Sequence, residues 1–183
     1  SQSLSISPSD DPRARSAGTS GGAGAYSERH IPYLRLIADR CHMCGSRFFV
    51  QLGKGGYDFS VSGSKDVNAT TADLEQIRDD FIHAAYLCFC AGADGVELHG
   101  AHGFFLNMMA SSGANRRSDK YGGDLYGRMR LVREIADGIR KFANDDFILS
   151  YRMGWTHSPE EDIAAAQALE NIGIEMLHVS HGI

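Results

Sequence analysis

One unit recurs along the chain: an amphipathic helical stretch, a glycine, then a short apolar strand that ends on a polar residue or glycine. The first copy runs from Arg29 to Cys44, passes Gly45, continues as Phe48-Phe49-Val50-Gln51-Leu52 and reaches Gly53. The second runs from Ala72 to Ala91, passes Gly92 and continues as Gly95-Val96-Glu97-Leu98-His99 to Gly100. Its Leu74, Ile77, Phe81, Ala84, Ala85 and Cys88 keep helical spacing on one face. The third helix is expected over Leu125–Phe142, leading to Phe147-Ile148-Leu149-Ser150-Tyr151-Arg152. The fourth opens on Ser158 as N-cap with Pro159 at the first helical position and Glu161 three residues after the cap, the pattern of a capping box. It ends before Gly173, and Met176-Leu177-His178-Val179-Ser180 follows as a strand. Helices alternating with short buried strands demand a parallel sheet with right-handed crossovers. Two α/β architectures meet that demand, an open doubly wound sheet and a (β/α)₈ barrel.

In both, ligands bind at the carboxyl ends of the strands. Gln51, His99, Arg152 and His181 all fall there or just beyond. The Gly53-Lys54-Gly55-Gly56 run has the wrong spacing for a G-x-G-x-x-G turn or a P-loop, which weighs against a nicotinamide-binding Rossmann domain. Charge narrows the partners. With 23 acidic and 18 basic residues the net charge is −5, and no Lys/Arg run stands out, so a nucleic-acid surface is not expected. No apolar stretch approaches the ~20 residues of a membrane helix. The first residues, Ser1-Gln2-Ser3-Leu4-Ser5, lack the basic-then-apolar pattern of a signal peptide. Four cysteines in 183 residues are too few for a disulfide scaffold and are expected reduced in the cytoplasm. Residues 1–25 read as a Ser/Gly-rich loop, in which Leu4 and Ile6 can end a strand; residues 26–183 read as the regular portion.

The richest stretch is Gly95-Val96-Glu97-Leu98-His99-Gly100-Ala101-His102-Gly103-Phe104, continuing through Asn115-Arg116-Arg117-Ser118-Asp119-Lys120-Tyr121-Gly122-Gly123 to Arg128. It resembles the Old Yellow Enzyme family of FMN-dependent ene-reductases and NAD(P)H:flavin oxidoreductases. Tyr26-Ser27-Glu28-Arg29-His30-Ile31 looks like that family's entry to its second helix, and Val50-Gln51-Leu52-Gly53-Lys54-Gly55-Gly56 is similar to its third strand. Ser5-Ile6-Ser7-Pro8 looks like the end of its second strand. The resemblance implies a (β/α)₈ TIM barrel, here an incomplete one comprising about strands two to six.

It also implies roles. Gln51 matches the glutamine that bonds the flavin pyrimidine edge, and Arg152 the arginine whose fixed charge stabilises the reduced flavin. His99 and His102 match the catalytic pair that holds the carbonyl or nitro oxygen of the acceptor. The implied function is passage of hydride from NADH or NADPH through FMN to an electron-poor alkene, quinone or nitro compound. Two positions depart from the family. Phe104, a candidate lining residue of the substrate pocket, stands where relatives place a proton-donating Tyr, and Lys54 stands where His is common. The strands missing from the resemblance would leave open edges, which favours self-association or a complementing chain.

Other readings stay beside this one. A non-catalytic barrel fragment or interaction module without flavin is the alternative that Phe104 and the missing strands support. His99-x-x-His102 and His178-x-x-His181 form two His pairs that a metal-dependent hydrolase would use, although such barrels usually take two ligands on one strand face plus an acidic one. No metal is expected. Cys41, Cys44, Cys88 and Cys90 read as buried hydrophobes in helices rather than a thiolate site. Arg152 can pair with Glu97 on a neighbouring strand, Arg117 and Asp119 with their neighbours in an ordered loop, and Arg128 and Arg130 belong on a solvated helix face.

Overall fold

The computed structural model describes residues 4–5, 24–54, 69–156 and 158–180. Five strands, β1 (Leu4–Ser5), β2 (Phe49–Gly53), β3 (Gly95–Gly100), β4 (Ile148–Met153) and β5 (Met176–Val179), form one sheet. Their spatial order is their sequence order, and every adjacent pair is parallel. That order decides between the two architectures. A doubly wound sheet reverses its strand order at a switch point. Right-handed crossovers that always step the same way put every helix on one side, as in a barrel wall.

The helices are α1 (Ile31–Met43), α2 (Thr71–Cys90), α3 (Phe105–Ala110), α4 (Leu125–Arg128), α5 (Arg130–Arg140) and α6 (Pro159–Ile172). The cap signals explain where they start and stop. Ser158 accepts a bond from the Glu161 amide, and Gly173 closes α6 at φ 85°, the left-handed position a helix end favours. The capping box expected there is only half made, because the Glu161 carboxylate is drawn away to Arg128 and Ser112. A reciprocal box forms instead at Thr70 and Asp73, ahead of α2.

Burial follows the strand alternation. Val50, Leu52, Val96, Leu98, Leu149, Tyr151 and Met153 point to the helix layer and are buried against Phe81, Ala84, Leu131, Ile135 and Leu169. Each large side chain of this set contributes about 1.5–3 kcal/mol by leaving water. The opposite face carries Gln51, Glu97, His99, Ser150, Arg152 and His178. One wall of the sheet is therefore apolar and helix-covered, and the other is polar.

Several sequence expectations need correction. The stretch read as one helix over Leu125–Phe142 is two helices, with Met129 between α4 and α5. Arg128 is not solvated: it is 8% exposed, donates from Nε to the Ala110 carbonyl (2.8 Å) and from Nη1 to that of Gly123 (2.7 Å), and pairs with Glu161. Of the cysteines only Cys88 is buried; Cys44 lies past the end of α1 and is exposed. The loop reading holds, since Arg117 pairs with Asp119 and the Asn115 amide donates to the carbonyls of Met109 and Tyr121. The reading over 1–25 falls outside the described residues except at positions 4, 5, 24 and 25; residues 6–8, Gly55, Gly56 and His181 fall outside them too.

Candidate active site at the carboxyl ends of the strands

Register builds the site. Gln51 is level with Glu97, and Glu97 with Ser150; one step of the same face further on, His99 is level with Arg152, and Arg152 with His178. A parallel ladder holds these side chains in two rows, the lower centred on a carboxylate and the upper on a guanidinium. Glu97 gathers the lower row. It accepts from the Gln51 amide and the Ser150 hydroxyl (3.5 Å), and it bonds His178 Nδ1 at 3.1 Å. Arg152 donates from Nη2 to Ser180 Oγ at 2.9 Å, so the two strands expected to be neighbours are neighbours while this bond runs to the end of β5.

A tight turn places the second histidine. After β3 the chain reverses over Ala101–Phe104, with the Phe104 amide bonded to the Ala101 carbonyl at 3.0 Å. His102 and Gly103 at its centre have φ 57° and 72°, the two positive values of a type I′ turn. Glycine takes that conformation freely and histidine does not, so the turn is held from outside. Asn107 on α3 supplies the hold: its Oδ1 accepts from the Gly103 amide (3.0 Å) and its Nδ2 donates to the Trp155 carbonyl (3.0 Å). The result folds His102 beside His99, ring centroids 5.4 Å apart and planes near perpendicular. Phe104 stacks on the His99 ring, centroids 4.0 Å apart.

Electrostatics follow from that packing. Burial pushes the His99 pKa down to about 4, helped by the positive field of Arg152 and by His102 and His178. The His102 pKa is lowered for the same reasons, burial first, then Arg152 and His178. Both rings are thus neutral near pH 7, each able to donate one N–H and accept at the other nitrogen.

Residues 61–181 match the model of the NADH:flavin oxidoreductase / NADH oxidase family. The chain belongs to that family. Among curated relatives, the NADH oxidase of Thermoanaerobacter brockii is 32% identical over 171 residues, covering 80% of this chain and 26% of that protein. 12-Oxophytodienoate reductase 1 of Oryza sativa subsp. japonica is 34% identical over 140 residues, covering 63% of this chain and 37% of that protein. The chain thus spans well under two thirds of these relatives. An old yellow enzyme homologue from Zymomonas mobilis superposes with a TM-score of 0.81 at 20% identity, over 100% of this chain and 59% of the other, which establishes the fold.

For this member of the NADH:flavin oxidoreductase family the structure brings together His99, His102, Phe104 and Arg152 at the strand ends, with Gln51 tied through Glu97 to His178. Lys54 follows β2 and offers its carbonyl to the Phe105 amide. Sequence reasoning missed Ser150, Ser180 and Asn107. The first two carried a readable signal: each sits two residues from Arg152 or His178 and so shares its face. Asn107 carried none, since its role depends on a turn and a loop that meet only in the fold. Among the described residues no group of three or more His, Cys, Asp or Glu side chains is arranged to hold a metal ion.

Proposed function

We propose that this chain carries the acceptor-binding, flavin-facing part of an FMN-dependent oxidoreductase that takes reducing equivalents from NADH or NADPH and reduces an electron-poor alkene, quinone or nitro compound. The observation that carries this reading is the pairing of two neutral imidazoles, His99 and His102, with one guanidinium, Arg152, at the strand ends. The donor set suits an isoalloxazine ring, which presents carbonyls and an imide along one edge. Gln51 offers an amide that both donates and accepts, and Arg152 a permanent cation. When bound, FMN supplies a ring that accepts hydride from a nicotinamide and gives it to an acceptor.

The chain's own groups do the rest. Gln51 holds the pyrimidine edge while Glu97 fixes the Gln51 amide by accepting from it. Arg152 places positive charge where negative charge develops, in a setting anchored by Ser180. His99 and His102 donate to the acceptor oxygen and polarise the conjugated bond. Phe104 covers the His99 ring but has no proton to give, so protonation of the α-carbon needs water or another donor. The partner is a small-molecule acceptor. No helix among the described residues is long and apolar enough to cross a membrane, and four free cysteines support a reducing, cytoplasmic setting. The outward apolar side chains of β5, Leu177 and Val179, are 38% and 78% exposed, which supports self-association or pairing with a complementing chain.

The test is a visible spectrum of the purified chain after FMN is added and the excess removed. A retained flavin band that bleaches with NADPH under anaerobic conditions is the expected result. A colourless protein, with folding verified by circular dichroism, overturns the reading and leaves the non-catalytic module.

A further inference from the structure

The two histidines of the mouth are anchored by different ring atoms. His99 Nδ1 lies 3.4 Å from the Ala101 amide. A backbone N–H can only donate, so Nδ1 is the accepting nitrogen, and a neutral His99 carries its proton on Nε2. His102 is anchored through Nε2, which lies 3.0 Å from Ser180 Oγ. The same Oγ receives a bond from Arg152 Nη2 at 2.9 Å, and a guanidinium too can only donate.

One lone pair of the Ser180 hydroxyl is therefore taken by a cation, and its proton must point elsewhere. Among the described residues His102 Nε2 is the one other hydrogen-bond partner of that oxygen. Donation from a cation polarises the hydroxyl, which strengthens it as a donor and weakens it as an acceptor. The favoured arrangement is a directed chain: Arg152 N–H to Ser180 Oγ, then Ser180 O–H to His102 Nε2.

We propose that Ser180 is a positioning residue that sets His102 as its Nδ1–H tautomer, so that His99 and His102 present N–H donors from opposite ring positions. In the flavin reading, on which the functional meaning rests, those two protons converge on one acceptor oxygen. If both rings were Nε2–H, the His102 proton would be spent on Ser180. Arg152 then serves the site twice, as a charge and as the first link of the chain that fixes this tautomer.

The experiment is a long-range proton–nitrogen correlation spectrum of the 183-residue chain, labelled with nitrogen-15 in histidine and recorded without flavin at about pH 8, above the ordinary histidine range. His99→Gln and His102→Gln assign the two signals. The expected result is a protonated Nε2 for His99 and a protonated Nδ1 for His102. Ser180→Ala should move His102 toward the Nε2–H pattern and leave His99 unchanged, and Ser180→Thr should keep the native pattern. If Ser180→Ala fails to fold, Ser180→Cys, close in size and a poor donor, takes its place. A native His102 protonated on Nε2, or a His102 pattern indifferent to loss of the hydroxyl, overturns the proposal. Because no flavin is present, a chain that shows both tautomers but binds no FMN overturns only the functional reading.

Discussion

The imidazole of His99 lies flat against the ring of Phe104, centroids 4.0 Å apart and planes 22° from parallel. The stack covers one face of the more buried histidine and, in the flavin reading proposed above, puts an apolar ring where a proton donor would serve. Phe104→Tyr keeps the ring and adds an acid at its tip. In flavin-loaded protein we expect alkene saturation to rise by roughly 10²-fold, the low end of what a positioned acid contributes, with quinone reduction unchanged. Stopped-flow oxidation of the reduced protein by each acceptor measures both.

The depressed pKa of His99 ties stability to pH. Unfolded, the ring titrates near 6.5; folded, near 4. Between those values the unfolded chain binds the extra proton. The contribution is whole above about pH 6.5 and fades as pH falls toward 4, by on the order of 3 kcal/mol. Urea unfolding at successive pH values should show that slope, and His99→Gln should flatten it.

Arg128 is a buried cation tied to two carbonyls and to Glu161, itself little exposed. Arg128→Met leaves that carboxylate without its counter-charge and should cost about 3–5 kcal/mol. Arg128→Lys recovers only part, because one ammonium cannot reach three acceptors set around a planar fork. Denaturation midpoints at constant slope decide it.

His102 sits in the left-handed region at φ 57°. Asparagine tolerates that backbone and valine does not. His102→Asn should unfold at nearly the native urea concentration, whereas His102→Val should lose about 1–2 kcal/mol.

Glu97 holds Gln51 in place. Glu97→Gln keeps the shape but replaces an ionic acceptor with a neutral amide, and FMN affinity should fall about tenfold, a loss of roughly 1.4 kcal/mol. Fluorescence titration of FMN gives the ratio directly.

Much of this was legible in the sequence because it is periodic. The strands lie within about a residue of where apolar runs and glycines put them, and a step of two along β3 and β4 sets Glu97 under His99 and Ser150 under Arg152. The spacing of four between Leu125 and Met129 suited one unbroken helix, but Arg128 turns inward to capture carbonyls and the helix breaks beside it. The tie from Asn107 to Trp155 and the bond from Ser180 to His102 join residues 48 and 78 positions apart. No local pattern encodes such contacts; they exist once the sheet has aligned the strand ends.

From β2 onward, each described strand of this sheet hydrogen-bonds to the one just before it in the sequence. A chain emerging from the ribosome therefore meets, at every new β-segment, an edge already made, and closes one crossover at a time rather than one long loop. From β2 to β5, each described strand finds its earlier neighbour already synthesised. The order of synthesis and the order in space coincide, so a helix–strand unit gained or lost at the growing edge leaves the threading of the others untouched.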